Sequence, residues 1–249
     1  MKKILITGGT GTVGKSFIKE YYDDYMFYTI SRNETGITEL LREFPNVTPH
    51  IGNICDRDHM INLFCKIKPD IVIHAAALKH INLAEENPTS AVEINVVGSL
   101  NVAKASIRAD VSLTIGVSTD KACNPDSVYG YTKRMMETMF MQYHNDTTKF
   151  ICTRFANVAN SNGSVIPFWI SEATKGKSLS DKEIEIIGKR PGEKLNETLI
   201  SEKELPFTNV IKDYVYIFTK EMNNNLTKEH SSANAEWMST EELERLVWN

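Results

Sequence analysis

Two short segments carry side chains able to move protons. Ser118-Thr119-Asp120-Lys121 sets hydroxyls, a carboxylate and an amine in direct succession after an apolar run. Open α/β sheets bind their ligands at such strand ends. Further along, Tyr129-Gly130-Tyr131-Thr132-Lys133 spaces a phenol and an amine four residues apart. On a helix that spacing puts Tyr129 and Lys133 on one face, about one turn apart. The ammonium then predicts a lowered tyrosine pKa, and a phenolate available near neutral pH takes a proton from an alcohol. Lys121 beside Asp120 forms a second acid–base pair if burial near positive charge keeps the amine neutral part of the time. Tyr and Lys at this spacing also occur on ordinary amphipathic helices, and Asp-Lys at a strand end also reads as a surface ion pair. What else the chain brings to the same rim decides between the two.

It brings a glycine turn. The first apolar run leads straight into Thr7-Gly8-Gly9-Thr10-Gly11-Thr12-Val13-Gly14, and a helical pattern follows. Gly8 suits the positive φ of a tight turn, Gly11 lets a pyrophosphate approach the backbone, and Gly14 allows close helix–strand packing. A glycine-rich turn alone is weak; one that follows the first strand and opens a helix predicts a dinucleotide site built from Gly8, Thr10, Gly11, Thr12, Val13 and Gly14. The next strand ends at Ser31-Arg32, where a site for NAD usually carries an acidic residue. A hydroxyl and a guanidinium suit a 2′-phosphate, so the expected cofactor is NADP, although Glu34 is close by and Arg32 also fits an exposed loop.

These segments need a sheet to hold them. Strand-like runs at 3–7, 26–30, 47–51, 70–74, 112–117 and 149–154 alternate with stretches of three-to-four-residue apolar spacing, such as Met60, Leu63, Phe64, Ile67 and Val92, Val96, Leu100, Ala103. That alternation predicts βαβ units, an α/β Rossmann-like doubly wound parallel sheet. The unbroken Ile71-Val72-Ile73 suits a strand covered on both faces. The organisation expected is an NADP-binding domain with the catalytic residues at 1–156, and a small substrate-binding region at 157–249 interleaved with it. Residues 222–232 read as a polar loop. A last helix is expected at 240–247, capped by Ser239 with Glu242 three residues on.

Together, TGGTGTVG, HAAALKH, NVVGSLNV, STDKA, YGYTK, RFANV, GSVIP and IGKRPGEKL make the chain similar to the extended short-chain dehydrogenase/reductase superfamily. Within it the chain most resembles the UDP-N-acetylglucosamine 4,6-dehydratases that invert C5. The likeness runs over about residues 2–205, with a weaker echo at 232–237. Retaining sugar dehydratases of the superfamily typically carry Glu after the Asp; Lys121 stands there in this chain. The resemblance implies a tightly bound NADP that is recycled during turnover. Tyr129, with Thr119 and Lys133, takes the proton of the sugar 4-hydroxyl as C4 loses hydride; Lys121 then removes the C5 proton, and Asp120, or a proton shared with Lys121, protonates the departing C6 hydroxyl. Hydride returns to C6 and a proton reaches C5 from the opposite face, giving UDP-2-acetamido-2,6-dideoxy-β-L-arabino-hex-4-ulose.

The resemblance also implies that Ser31, Arg32, Asn53, Ile54, Ala75, Ala76, Lys79, Asn95, Tyr129 and Lys133 contribute to the cofactor site. It implies a sugar-nucleotide site of Lys79, Asn157, Val165, Ile166, Pro167, Arg190 and Glu193, and a homodimer in which Met135, Met136, Met139 and Phe140 either face the partner or fill an internal core. Three departures stand out. Asn53 replaces a common Asp, Asn162 replaces a common Arg, and residues 178–183 join segments that relatives separate by several dozen residues. The C-terminal substrate cap is therefore expected to be truncated.

A net charge of −4 offers no field for duplex nucleic acid. No apolar run nears the roughly 20 residues that cross a bilayer, and the short apolar stretch after Lys2-Lys3 does not make a signal peptide. Cys55, Cys65, Cys123 and Cys152 lack CxxC spacing and read as buried thiols in a reducing cytoplasm. The six histidines show no HxH or HxxxH pairing, so no metal is expected. Two other functions share these motifs. A 4-epimerase or ketosugar reductase would use Tyr129 and Lys133 without needing Lys121 as a base. A non-catalytic NADP-binding module would bind cofactor without turnover.

Overall fold

The computed structural model describes residues 1–159, 161, 164, 167, 170–171, 192–194, 196–211, 214–217, 221–222, 226 and 228–233. The chain divides into two compact units, Met1–Arg154 and Phe155–Asn249.

In the first unit, β1 (Lys3–Thr7), β2 (Met26–Ser31), β3 (Thr48–Ile51), β4 (Ile71–His74), β5 (Leu113–Thr119) and β6 (Lys149–Phe155) form one sheet in the order β3-β2-β1-β4-β5-β6. The pairings β1–β2, β1–β4, β2–β3 and β4–β5 are parallel. The order reverses between β1 and β4, the place where doubly wound sheets open a crevice at their carboxyl ends. The expected Rossmann-like fold is thus present, with strand limits one or two residues from those the apolar runs predict.

Alternation along the strands sends side chains to two cores. Leu5, Ile30 and Val72 pack with Met60, Leu63, Phe64 and Ile67 of α3 (Arg57–Ile67) and with Val102 and Ala105 of α6 (Gly98–Arg108). Ile4, Ile6 and Ile73 cluster with Ile18 of α1 (Thr12–Tyr21) and with Leu40 of α2 (Glu34–Glu43). A third cluster joins Met136 and Phe140 of α7 (Val128–Tyr143) to Ala103 and Phe150. Met136 and Phe140 are therefore core residues, while Met135 is exposed and Met139 half-buried.

The apolar spacing over 92–103 predicts a single helix. Instead α4 (Ile81–Glu86) is followed by α5 (Pro88–Val92), a π turn at Glu93–Val97, and only then α6. A π turn adds a residue without breaking the apolar stripe, so the spacing does not reveal it.

In the second unit, β7 (Thr198–Ile200) pairs antiparallel with β10 (His230–Ser231), and β8 (Thr208–Ile211) with β9 (Tyr214–Ile217). The loop expected at 222–232 therefore contains a short strand. Its pairing is closed by Ser232 N–H donating to the Glu197 carbonyl at 2.8 Å and Glu197 N–H donating to Ser232 Oγ at 3.0 Å. A two-residue strand is too short to leave a period-two signal. The helix expected at 240–247 and the junction at 178–183 lie outside the described residues. Among the described residues, no helix is long and apolar enough to cross a membrane. Cys123 alone of the four cysteines is buried; Cys55, Cys65 and Cys152 are half-buried, and none of the four forms a disulfide.

Candidate active site

The turn after β1 is held from several sides. Gly8 has φ 74°, and a Cβ there would lie 2.8 Å from Ala76 N, so only glycine fits between this turn and the chain leaving β4. Gly8 N–H donates to the Ile30 carbonyl and Gly11 N–H to the Gly8 carbonyl, each at 3.0 Å. Gly11 differs in its surroundings: a Cβ there would touch only Gly8 O, at 3.3 Å. Gly11 is the N-cap of α1, makes no side-chain cap, and no acidic residue follows in the first turn. The N-terminal end of α1, with Thr12, Val13 and Gly14, thus presents its partial positive charge where a Cβ is missing, and an anionic diphosphate fits it.

At the end of β2, Thr10 Oγ1 and Ser31 Oγ lie 3.3 Å apart, and Ser31 Oγ accepts from Asn33 N–H at 3.1 Å. Arg32 is exposed, beside Cys55. The structure thus brings Ser31 against Thr10 of the glycine turn.

Other expected cofactor residues are occupied differently. Asn53 Oδ1 accepts from Cys55 N–H at 3.1 Å and shapes the turn into α3. Ile54 is a core residue, packed where a Cβ on Gly98 would come within 2.6 Å of its Cδ1. Ala75 and Ala76 line the turn at Gly8, and Lys79 is exposed. Asn95, expected to contribute to the cofactor site from a helix that structures it, is buried with its amide hydrogen-bonded. Its Oδ1 accepts from Leu78 N–H at 2.8 Å, and its Nδ2 donates to Leu78 O and Thr132 Oγ1, each at 3.0 Å. These bonds hold Leu78 and Thr132 in place.

At the end of β5 the side chains are packed together instead. Asp120 is 2% exposed. Its Oδ1 accepts from Thr119 Oγ1 at 2.7 Å, Lys121 N–H at 2.8 Å and Lys121 Nζ at 3.1 Å. The Asp120–Lys121 pair is therefore an inward-facing ion pair, not the exposed one that its strand-end position also allowed. Tyr129 hydrogen-bonds Thr119 through its hydroxyl.

Lys133 does not lower the Tyr129 pKa in this arrangement. Burial pushes the phenol up to about 12; the Thr119 hydrogen bond opposes this, and the Asp120 charge adds to it. Lys133 is itself 2% exposed, donates to Met136 Sδ at 3.4 Å, and is held down to about 8 by burial against the upward pull of Cys152 and Glu137. Placement on one helix face does not fix where a four-carbon side chain ends, and desolvation decides both shifts.

Several residues that build this end escaped the sequence reading. Ser127 N-caps α7, accepting from Gly130 N–H at 3.1 Å, and Glu85 Oε1 of α4 accepts from Val128 N–H at 2.7 Å. The first turn of α7 lacks an acidic residue of its own, so a carboxylate from another helix complements its dipole. Glu137 is buried and accepts from Ser118 Oγ at 2.7 Å, from Arg154 Nε and Nη2 at 2.9 and 2.8 Å, and from Arg134 Nη1 at 3.2 Å. Gly130 lies so close to the Lys121 carbonyl that no Cβ fits between α7 and the Asp120–Ala122 turn. A glycine inside a helical pattern was the one available signal for this packing.

Of the expected sugar-nucleotide residues, Lys79 is in the first unit. Asn157, exposed, and Pro167 and Glu193, half-buried, lie in the second. Val165, Ile166 and Arg190 fall outside the described residues. Among the described residues, no cluster of three His, Cys, Asp or Glu side chains could hold a metal ion.

Comparison with known proteins agrees with this architecture. Residues 4–180 match the family of polysaccharide biosynthesis proteins. An uncharacterized membrane protein of Methanocaldococcus jannaschii is 30% identical over 99% of this chain and 95% of its own length. That alignment runs over 318 positions against a chain of 249, so at least 69 (318 − 249) stand opposite gaps in this chain, in keeping with the expected shortening. The UDP-N-acetylglucosamine 4,6-dehydratase (inverting) of Campylobacter jejuni is 38% identical over 72% of this chain, which spans 57% of that enzyme. The X-ray structure of Pen from Bacillus thuringiensis superposes with a TM-score of 0.89 at 27% identity, covering 99% of this chain and 96% of its own. On the family match and the shared fold, the chain belongs to the polysaccharide biosynthesis protein family, within the extended short-chain dehydrogenase/reductase superfamily.

Proposed function

We propose that this protein is an NADP-dependent UDP-N-acetylglucosamine 4,6-dehydratase that inverts C5. The observation that carries this reading is the end of β5. There a sealed carboxylate, Asp120, is gripped by the Lys121 ammonium at 3.1 Å, and Tyr129 hydrogen-bonds the neighbouring Thr119. Two proton-moving groups after β5, with a third beside them on α7, suit an oxidation followed by an elimination; oxidation alone needs only the phenol.

The open helix end at Gly8–Gly14 supports a diphosphate there, and the hydroxyl of Ser31 and guanidinium of Arg32 after β2 support a 2′-phosphate. When bound, the nicotinamide would accept hydride from C4 and return it to C6. The residues do the rest. Tyr129, held by its hydrogen bond to Thr119, takes the proton of the 4-hydroxyl; a phenol whose resting pKa is about 12 needs nearby positive charge to do so, which the ring of a bound oxidised cofactor would supply. Lys121, once its proton has passed to Asp120, removes as amine the proton at C5 that the 4-ketone has made acidic. The proton on the Asp120–Lys121 pair then goes to the departing C6 hydroxyl. Bound water then reprotonates C5 from the opposite face.

The similarity to a dehydratase that inverts C5 supports the substrate and the stereochemistry, and the Asp-Lys pair supports the elimination. A second copy of the chain is proposed to pack on the outer face of α7, where Tyr131 and Met135 remain exposed. The reading is tested by incubating the protein with UDP-N-acetylglucosamine and substoichiometric NADP+ in deuterated water. NMR should show a 4-keto-6-deoxy product of inverted C5 carrying one deuterium there. Formation of UDP-N-acetylgalactosamine, or cofactor binding with no product, would overturn it.

A further inference from the structure

Behind the two strand ends runs a buried hydrogen-bond chain centred on His74, the last residue of β4. The ring is 0% exposed. Its Nδ1 lies 2.7 Å from Thr7 Oγ1, and its Nε2 2.8 Å from Ser99 Oγ. The outer bonds fix every proton. Ser99 Oγ donates its single proton to the Asn95 carbonyl at 2.5 Å, so it accepts from an N–H on Nε2. Burial and the nearby Lys133 charge hold the imidazole neutral, down to about 3, so Nδ1 carries no proton and accepts from Thr7. Thr7, its proton spent, accepts from Ala76 N–H at 3.3 Å. All donors point in an order that only the neutral Nε2–H tautomer completes.

Each end of the chain reaches one half of the site. Thr7 ends β1, and through Ala76 it holds the segment that closes over Gly8. Ser99 ties down the π turn through the Asn95 carbonyl, and the Asn95 amide continues to Thr132, whose hydroxyl donates to the Tyr129 carbonyl at 2.9 Å. We propose that His74 is a positioning residue whose Nδ1 side sets the dinucleotide turn and whose Nε2 side sets the helix carrying Tyr129. Its effect on turnover rests on the proposed dehydratase reaction; its effect on the nucleotide site does not.

Two substitutions separate the halves. His74→Asn keeps an acceptor near the Nδ1 position and loses the donor to Ser99. His74→Gln keeps an amide donor near the Nε2 position and disturbs the acceptor for Thr7. A lost buried hydrogen bond is worth roughly tenfold in an equilibrium or a rate. His74→Asn should therefore lower kcat about tenfold while NADP+ affinity changes less than about threefold. His74→Gln should weaken NADP+ about tenfold, with kcat at saturation falling less than in the Asn variant. Equal changes in both quantities in both variants, or no change in either, would overturn the assignment. Should neither variant fold, 15N NMR of the unsubstituted protein decides: a neutral Nε2–H ring, unchanged between about pH 5 and 9, is expected from its burial. An Nδ1–H tautomer, or titration in that range, would contradict the chain. If the unsubstituted protein gives no dehydration product, the reaction assignment fails, while NADP+ affinity and the NMR still decide the role of His74.

Discussion

The carboxyl ends of β1 and β5 are built on opposite plans. The end of β1 works by omission: Gly8 and Gly14 keep side chains out of contacts that are already full, and Gly11 leaves the start of α1 open. The end of β5 works by addition: Thr119, Asp120, Lys121 and Tyr129 crowd into one hydrogen-bonded group. The first plan suits a ligand that brings its own charge and needs only donors; the second suits chemistry in which the protein must supply and receive protons. The same motif language, short and polar after a strand, hides this difference, and only packing brings it out.

The contrast is broken most sharply within the glycine turn itself. Gly8→Ala meets both a positive φ and Ala76 N at 2.8 Å, so it should cost about 2–3 kcal/mol in thermal unfolding. Gly11→Ala meets only one oxygen, and should cost under about 1 kcal/mol while weakening NADP+ roughly tenfold in a titration. At the other strand end, Gly130→Ala would force the Lys121 carbonyl away from α7. We expect a loss of about 2 kcal/mol together with a lower kcat, since the displaced turn carries Asp120.

The pH dependence of stability sharpens the comparison further, because only the crowded end carries strongly shifted groups of opposite sign. Lys133 is depressed from 10.5 to about 8, so its charged form burdens the fold at low pH and stability rises as pH climbs from 8 to 10.5. Tyr129 is raised from 10.0 to about 12, so the fold holds its proton longer and stability is lost as pH rises from 10 to 12. Denaturant titrations should show that Lys133→Met removes the rising contribution and that Tyr129→Phe reduces the falling one, the remainder belonging to Cys152, which burial raises from 9.0 to about 12. The smallest effect expected is for Ser127→Ala, about 1 kcal/mol from the lost cap of α7.

The sheet was legible because β-branched runs of four to seven residues alternate with helical spacing, and burial on both faces leaves few other solutions. The glycine turn and the Thr119–Lys133 stretch were legible because both lie at strand ends in the order the chemistry requires. What escaped has a common cause: it depends on contacts between residues distant in sequence. Glu85 reaches the start of α7 from 43 residues away, and His74 links Thr7 to Ser99 across 67 and 25. Glu137 reads as one more helical carboxylate until Arg154 and Ser118 close around it. Lys133 went astray for a related reason: helical spacing gave its face, whereas burial and the Met136 sulfur decide where its ammonium rests.

The most direct test concerns Lys121 as the base at C5. With the protein in deuterated water, the rate at which the sugar C5 proton is lost should fall by about 10²–10⁴-fold in Lys121→Met. NADP+ affinity and the first hydride transfer from C4, followed by absorbance of the reduced cofactor, should stay within a few-fold of the unsubstituted protein. Undiminished C5 exchange in Lys121→Met would contradict the assignment and leave Asp120 and Tyr129 to do the work between them.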